Sequence, residues 1–364
     1  MQFCDLKKQY ETYKAEIDQA IQSVIDSSAF INGKEIEILE SELSNFTGMK
    51  HSICCSSGTD ALLLALMAYD IQPGDEVICP AFSFFASASM ISFLKAIPVF
   101  VDVSPIDFNI DVTKIEEKIT AKTRGIIAVS LFGQCANFDI INEIARRNEL
   151  WVIEDAAQSF GATYNGKKSC SLTEIAVTSF FPAKPLGCYG DGGAIFTNSD
   201  VLVTKMKLLR GHGQSARYFH AMVGINGRMD TIQAAILLVK LKHLETEIVT
   251  RQLAAGLYAD LLKDKVMLPE IGENKSSTWA QFTIGVGERD FLKQKLQGKG
   301  IPTAIHYPLI LPKQLAFSNL PSYEEEFQVA QLLSETVLSL PMHGMITVDE
   351  VKFVAQSIID LLND

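Results

Sequence analysis

The chain has 364 residues and a formal net charge of −11, with 48% hydrophobic and 21% charged side chains and a pI of about 5.1. These values describe a globular protein able to bury one large core and a smaller one. They argue against nonspecific nucleic-acid binding, because no Lys/Arg-rich stripe is present. An anionic substrate must be met by locally placed cations or N–H groups, since the overall charge repels it.

The N-terminus, Met1-Gln-Phe-Cys-Asp-Leu-Lys-Lys, lacks the basic-then-apolar plan of a signal peptide. The apolar run Leu62-Leu-Leu-Ala-Leu-Met-Ala is too short to span a bilayer. Cysteines 4, 54, 55, 79, 135, 170 and 188 form no CxxC or Cys/His spacing and read as small buried thiols of a reducing compartment. A cytoplasmic location with no membrane partner and no metal is expected.

In chain order, helices are predicted near 9–27, 59–69, 85–95, 111–119, 136–148, 199–209 and 230–243. Strands are predicted at Glu76-Val-Ile-Cys, Pro98-Val-Phe-Val-Asp-Val, Gly125-Ile-Ile-Ala-Val-Ser, Trp151-Val-Ile, Ile175-Ala-Val-Thr-Ser-Phe and Gly193-Ala-Ile-Phe-Thr. Strands that are apolar throughout and alternate with helices indicate an α/β fold whose mostly parallel sheet is covered on both faces. Ligands of such sheets sit beyond the carboxyl ends of the strands. Asp155 ends one apolar run, and Lys184 closely follows another. After about residue 245 the rhythm changes. A long helix, about 230 to 264, leads to a strand near Gln281-Phe-Thr-Ile-Gly-Val, a helix near 289–299 and a closing helix near 348–362. The expected organisation is a large α/β domain over 1–245 and a smaller C-terminal α+β domain over 246–364.

The run Ser179-Phe-Phe-Pro-Ala-Lys184-Pro-Leu-Gly187-Cys-Tyr-Gly190-Asp-Gly-Gly193 sets one lysine between an apolar strand and a glycine-rich turn. A lysine desolvated in this way loses its proton near neutrality and attacks a carbonyl to form a Schiff base. Pyridoxal phosphate (PLP) enzymes pair such a lysine with a carboxylate on the pyridinium nitrogen, and Asp155 is the candidate. Taken alone, Asp155 also suits a helix cap, and Lys184 a surface position before a turn. Ser56-Ser57-Gly58-Thr59-Asp60-Ala61 opens an apolar helix with free N–H groups that suit a phosphate, with Thr59 and Ser179 as hydroxyl donors. On its own it is a capped helix. Phe84 is the candidate to stack on the pyridine face, with Phe82 and Phe85 as core aromatics. Gln158 is placed to reach the cofactor's phenolic oxygen. Asn226-Gly-Arg228-Met-Asp230 either caps the following helix or reaches into a site. His306-Tyr307 is a last candidate, with His343 structural or peripheral.

Gly58-Thr59-Asp60-Ala61-Leu62, Glu154-Asp155-Ala-Ala-Gln158-Ser159, Ser179-Phe-Phe-Pro-Ala-Lys184, Gly190-Asp-Gly-Gly and Asn226-Gly-Arg228-Met-Asp230 together resemble the DegT/DnrJ/EryC1/StrS family of PLP-dependent nucleotide-sugar aminotransferases. The resemblance runs from about Phe3 to the end of the chain. It implies a fold-type I, aspartate aminotransferase-like PLP transferase, and a homodimer with its active sites at the subunit interface. It further implies that Lys184 is the Schiff-base lysine and Asp155 its pyridinium partner, with Gln158 near O3′ and Phe84 at the stacking position. By the same resemblance Thr59, Ser179 and the Gly58 backbone bind the phosphate. Asn226 reaches that phosphate from the neighbouring subunit, and Arg228 faces substrate. The family's 3-dehydratases carry histidine where Lys184 stands.

Val129-Ser-Leu-Phe-Gly-Gln-Cys135-Ala, Lys168-Ser-Cys170, Lys184-Pro-Leu-Gly-Cys188-Tyr-Gly-Asp and Ala304-Ile-His306-Tyr-Pro are similar to one subgroup. It uses L-glutamate to aminate C3 of UDP-2-acetamido-2-deoxy-3-oxo-glucuronate, a UDP-linked keto sugar of O-antigen biosynthesis. In that subgroup His306, Tyr307 and Arg228 face substrate. The alternative within the family is an aminotransferase for a dTDP-linked 3-keto or UDP-linked 4-keto-6-deoxy sugar. A nicotinamide oxidoreductase is disfavoured, because no GxGxxG joins a first strand to its helix.

Overall fold

Short β-branched and apolar runs bounded by turns become strands, and the longer periodic segments between them become helices. The computed structural model describes residues 1–363. Helices α1 (Leu6–Ser27) and α2 (Lys34–Thr47) precede strand β1 (His51–Cys55). Alternation follows through α3 (Gly58–Ala68), β2 (Glu76–Pro80), α4 (Ala86–Phe93), β3 (Ile97–Val101), β4 (Thr123–Val129), α5 (Phe138–Arg147) and β5 (Trp151–Asp155). A small pairing of β6 (Thr163–Tyr164) with β7 (Lys167–Lys168) leads to β8 (Ile175–Ser179), β9 (Gly193–Thr197) and α6 (Asp200–Arg210). The hairpin β10 (Gln214–Ala216) and β11 (Phe219–His220) precedes the long helix α7 (Thr231–Leu262). The chain closes with β12 (Phe282–Gly285), α8 (Arg289–Gly298), α9 (Gln328–Thr336), β13 (Val337–Leu340) and α10 (Val348–Asn363).

The central sheet has seven strands in the order β1-β9-β8-β5-β4-β2-β3. Every neighbouring pair from β3 to β8 is parallel, and β9 alone runs against the rest. In consequence β1, β5 and β8 end on one edge, at Cys55, Asp155 and Ser179, where β9 begins at Gly193. Ser179 and Cys55 are both Cα partners of Gly193. The order reverses across this sheet, which is where ligands of parallel sheets collect.

One face of the sheet is covered by α3, whose residues 61–66 are all buried, packed with α4 and α6. The other is covered by α2 and α7, whose Leu39, Leu43 and Leu237 share a core with Phe160 and Phe196. Beyond residue 262, α8 and α10 join the far half of α7 over the antiparallel pair β12–β13, around Tyr258, Phe282, Leu292, Leu338 and Val354. No helix among the described residues is long and apolar enough to cross a membrane.

The predicted strands and most of the predicted helices fall on observed elements, and the segment 111–119 does not. It folds as two 3₁₀ turns, Val112–Lys114 and Glu116–Lys118. Asp111 accepts the Thr113 N–H at 3.0 Å, and the β-branched Val112, Thr113 and Ile115 disfavour continuation as an α-helix. Strand β1 and helix α2 were not expected. The first opens on His51-Ser52 and ends in two cysteines, and the second starts at Gly33 without a side-chain cap.

Asp102, 6% exposed just past β3, accepts the N–H groups of Val329 at 3.2 Å and Ala330 at 2.9 Å, so it caps α9 from across the fold. Asp102→Ala is expected to lower the stability by about 1–2 kcal/mol, seen as a lower urea midpoint at unchanged slope.

Candidate active site

The turn between β1 and α3 is pressed against the end of β8. Ser57 caps α3, its hydroxyl accepting the Asp60 N–H at 3.0 Å. A Cβ at Gly58 would stand 2.7 Å from Cβ of Ser179, and one at Gly193 would stand 2.5 Å from the Ser57 carbonyl carbon. Only glycine fits either place. This approach sets Thr59, the Ser179 hydroxyl and the unsatisfied first-turn N–H groups of α3 side by side, in a cradle suited to a phosphate.

Asp155 is the last residue of β5 and is 6% exposed. Burial raises its carboxyl above the usual range, opposed by the Ala157 N–H, which donates to Oδ1 at 3.1 Å, and by the Lys184 ammonium. Burial likewise brings Lys184 down to about 8, opposed by the Asp155 carboxylate. Each group therefore feels the other's charge in a poorly solvated space. Glu154, one residue earlier, points to the other side of the sheet, as strand alternation requires. There it accepts from the Ser169 hydroxyl at 2.8 Å and the N–H groups of Cys170 at 2.9 Å and Leu172 at 3.2 Å, and burial raises it to about 7.

Gln158, 3% exposed, is clamped at both ends of its amide. The Phe132 N–H donates to Oε1 at 2.7 Å, and Nε2 donates to the Tyr307 hydroxyl at 3.1 Å. Tyr307 is pushed up by burial and feels the Asp155 carboxylate. Its ring lies 6.1 Å from that of Phe84, which is 56% exposed, while Phe82 is 1% exposed. His306 is brought down to about 4, by burial first and then by Lys184, and Nδ1 lies 2.9 Å from the Ser339 hydroxyl. The imidazole is accordingly neutral at physiological pH. Gly58, Thr59, Phe84, Asp155, Gln158, Ser179, Lys184, His306 and Tyr307 thus gather around the C-terminal ends of β1, β5 and β8.

The model of the DegT/DnrJ/EryC1/StrS aminotransferase family matches residues 11–359. The chain belongs to this family. A Pseudomonas aeruginosa relative named UDP-2-acetamido-2-deoxy-3-oxo-D-glucuronate aminotransferase is 46% identical over 98% of this chain and 99% of that protein. The crystal structure of a DegT/DnrJ/EryC1/StrS aminotransferase from Brucella abortus superposes with a TM-score of 0.96 at 38% identity, covering 100% of both chains. That of NtdA from Bacillus subtilis, with bound cofactor PMP, superposes with a TM-score of 0.91 at 30% identity over 97% of this chain and 82% of the other. The protein is a PLP-dependent nucleotide-sugar aminotransferase.

The residues fit that cofactor. A glycine-lined helix start suits a phosphate, and a buried carboxylate within the field of a lysine lowered to about 8 is the chemistry that a pyridine nitrogen and an aldehyde call for. The loop that carries the two remaining predicted residues abuts the turn between β1 and α3, the Gly227 carbonyl accepting the Ser56 N–H at 2.9 Å. Asn226 is exposed and bridged through its backbone to Gly211. Arg228, with its buried Nε unpartnered, lines a cleft of about 350 Å³ with Lys207, Arg210, Gln214 and Arg217. Sequence reasoning passed over Gln233 and Lys240 of α7, which hold the Lys184 turn; a glutamine and a lysine inside an apolar helical run were the available signal.

Gly58→Ala is expected to weaken PLP binding by about tenfold or more, measured by fluorescence titration, with little change in far-UV circular dichroism. In the cofactor-free enzyme, the rate of acylation of Lys184 is expected to rise with pH with a midpoint near 8. Asp155→Asn should move that midpoint down, since the carboxylate favours the ammonium; peptide mass spectrometry of the labelled site follows both.

Proposed function

We propose that this enzyme moves the amino group of L-glutamate to C3 of UDP-2-acetamido-2-deoxy-3-oxo-glucuronate, supplying an amino sugar for a surface polysaccharide such as O-antigen. It acts as a cytoplasmic homodimer with its sites at the subunit interface. The observation that carries the substrate is the match along nearly the whole chain, at 46% identity, to the Pseudomonas relative of that name, on a chain that keeps Lys184 in the field of Asp155 and His306-Tyr307 beside them.

Pyridoxal phosphate, when bound, supplies the electron sink and carries the amino group from one substrate to the other. The α3 N-terminus, Thr59 and Ser179 would hold its phosphate, and Phe84 would pack against its ring. Asp155 would keep the ring nitrogen protonated, and Gln158 would bond the phenolic oxygen. Lys184, whose amine burial brings down to about 8 in the free site, is the base that takes the proton from Cα of glutamate. In the second half-reaction Nζ delivers a proton to C3 of the sugar. Both half-reactions use one site, and ping-pong kinetics follow. His306, being neutral, contributes a hydrogen bond to the sugar without competing for the proton. Arg228 and Asn226 of one protomer serve the site of the other. Arg228 grips a carboxylate, that of the donor or of the uronate.

Lys184→Ala is expected to abolish both half-reactions, read as loss of 2-oxoglutarate formation, and borohydride reduction of the wild type should fix the cofactor on Lys184 by peptide mass. A keto sugar lacking the C6 carboxylate should be aminated at least tenfold more slowly; equal rates would refute the substrate. Co-expressing Lys184→Ala with Arg228→Ala should restore roughly a quarter of wild-type sites, because random pairing leaves one intact site in half of the dimers.

A further inference from the structure

We propose that Lys240 is a positioning residue for Lys184: its buried ammonium holds the turn from Pro182 to Gly190 through the Gly187 carbonyl, and so fixes where the Lys184 amine stands. The proposal rests on Lys184 being the lysine that carries the cofactor.

The turn is closed on itself first. The Lys184 N–H donates to the Phe181 carbonyl at 2.8 Å, the Cys188 N–H to Phe180 at 2.8 Å, and the Phe180 N–H to Gly192 at 2.8 Å. Gly187 stands at its tightest point, where a Cβ would come 2.4 Å from the Pro182 oxygen and 2.7 Å from the Phe181 oxygen. These bonds shape the turn, and α7 places it. The Tyr189 N–H donates to Oε1 of Gln233 at 2.8 Å, and Nζ of Lys240 donates to the Gly187 oxygen. Gln233 and Lys240 are seven residues apart, so both project from one face of α7 toward the turn. The Lys240 ammonium also lies over the Tyr189 ring, 5.3 Å from its centroid.

Lys240 is 2% exposed, and Gly187 is its only hydrogen-bond acceptor among the described residues. Burying an ammonium is unfavourable, and a methionine would fill the same channel at less cost. The stretch of helix just before it, Ala234-Ala-Ile-Leu-Leu-Val239, is apolar throughout. What the lysine adds is a charge-assisted bond to a carbonyl three residues from Lys184. Glu247, a further seven residues along α7, supplies the compensating field, and its own oxygens accept Nε2 of Gln9 at 2.8 Å.

Lys240→Met keeps the apolar stem and removes the donor. In the cofactor-free protein, hydrogen exchange at the Cys188 and Tyr189 amides is expected to quicken about tenfold or more, with the amides of β4 and β5 unchanged. In the loaded enzyme, kcat for the glutamate half-reaction should fall about 10- to 100-fold with KM within about twofold, the signature of a misplaced base. Lys240→Gln, which restores a neutral donor on a shorter stem, should recover part of both losses; it also serves if the methionine variant does not fold. Unchanged exchange together with unchanged kcat would overturn the proposal, as would exchange rising uniformly through the sheet, which marks a general core role. Borohydride trapping separates the two claims. A label on another residue refutes the Lys184 assignment and this inference with it, whereas a label on Lys184 with exchange and kcat unaltered refutes this inference alone.

Discussion

An ammonium and a carboxylate withdrawn from water at one edge of a parallel sheet set the terms for everything around them. Burial pushes Lys184 and Asp155 toward their neutral forms, and each pulls the other back toward charge. The Ala157 N–H adds to the carboxylate's side. Such a balance is easily tipped by a ligand that brings its own charges, which is what a group-transfer site needs. Glu154 shows the contrast. It is as deeply buried as its neighbour, yet two N–H groups and a hydroxyl tie it to the loop at 169–172 on the far side of the sheet. Adjacent carboxylates on one strand serve opposite faces, one holding structure and the other open to chemistry.

The chain's surplus of negative charge makes the placement of its cations informative. Lys207, Arg217 and Arg228 meet in one cleft and form no ion pair among the described residues, while Arg210 beside them is committed to Glu40 at 2.8 Å. A local positive field inside an acidic protein favours an anionic ligand there over the surrounding surface.

Much of this was legible in the sequence because it is local. The Gly58-Thr59 helix start, Asp155 at a strand end and Lys184 before a glycine-rich turn each carry their signal within a few residues. The strands were readable because they are apolar on both faces. What escaped depends on distant partners. Strand β1 is mixed in composition and is specified by pairing with β9, a partner far along the chain. Helix α9 is capped by Asp102, which lies far away in the sequence. Lys240 looks like an ordinary helical lysine until the Gly187 carbonyl is seen against it. The clamp of Gln158 between the Phe132 N–H and the Tyr307 hydroxyl is likewise invisible in sequence, since it joins three separate segments.

The reversed direction of β9 has a mechanical result. Had the strand after β8 been parallel, the chain would have crossed the sheet through a helix before returning. Instead it comes back at once, so Lys184 rides on the closed end of a broad hairpin whose legs are locked together where Ser179 faces Gly193. A tether fastened at both feet cannot swing far from its base. A protease cut between Phe180 and Lys184 would leave the amine held from one foot only, through the segment that α7 grips at Gly187 and Tyr189, while the strands beneath it kept their pairing.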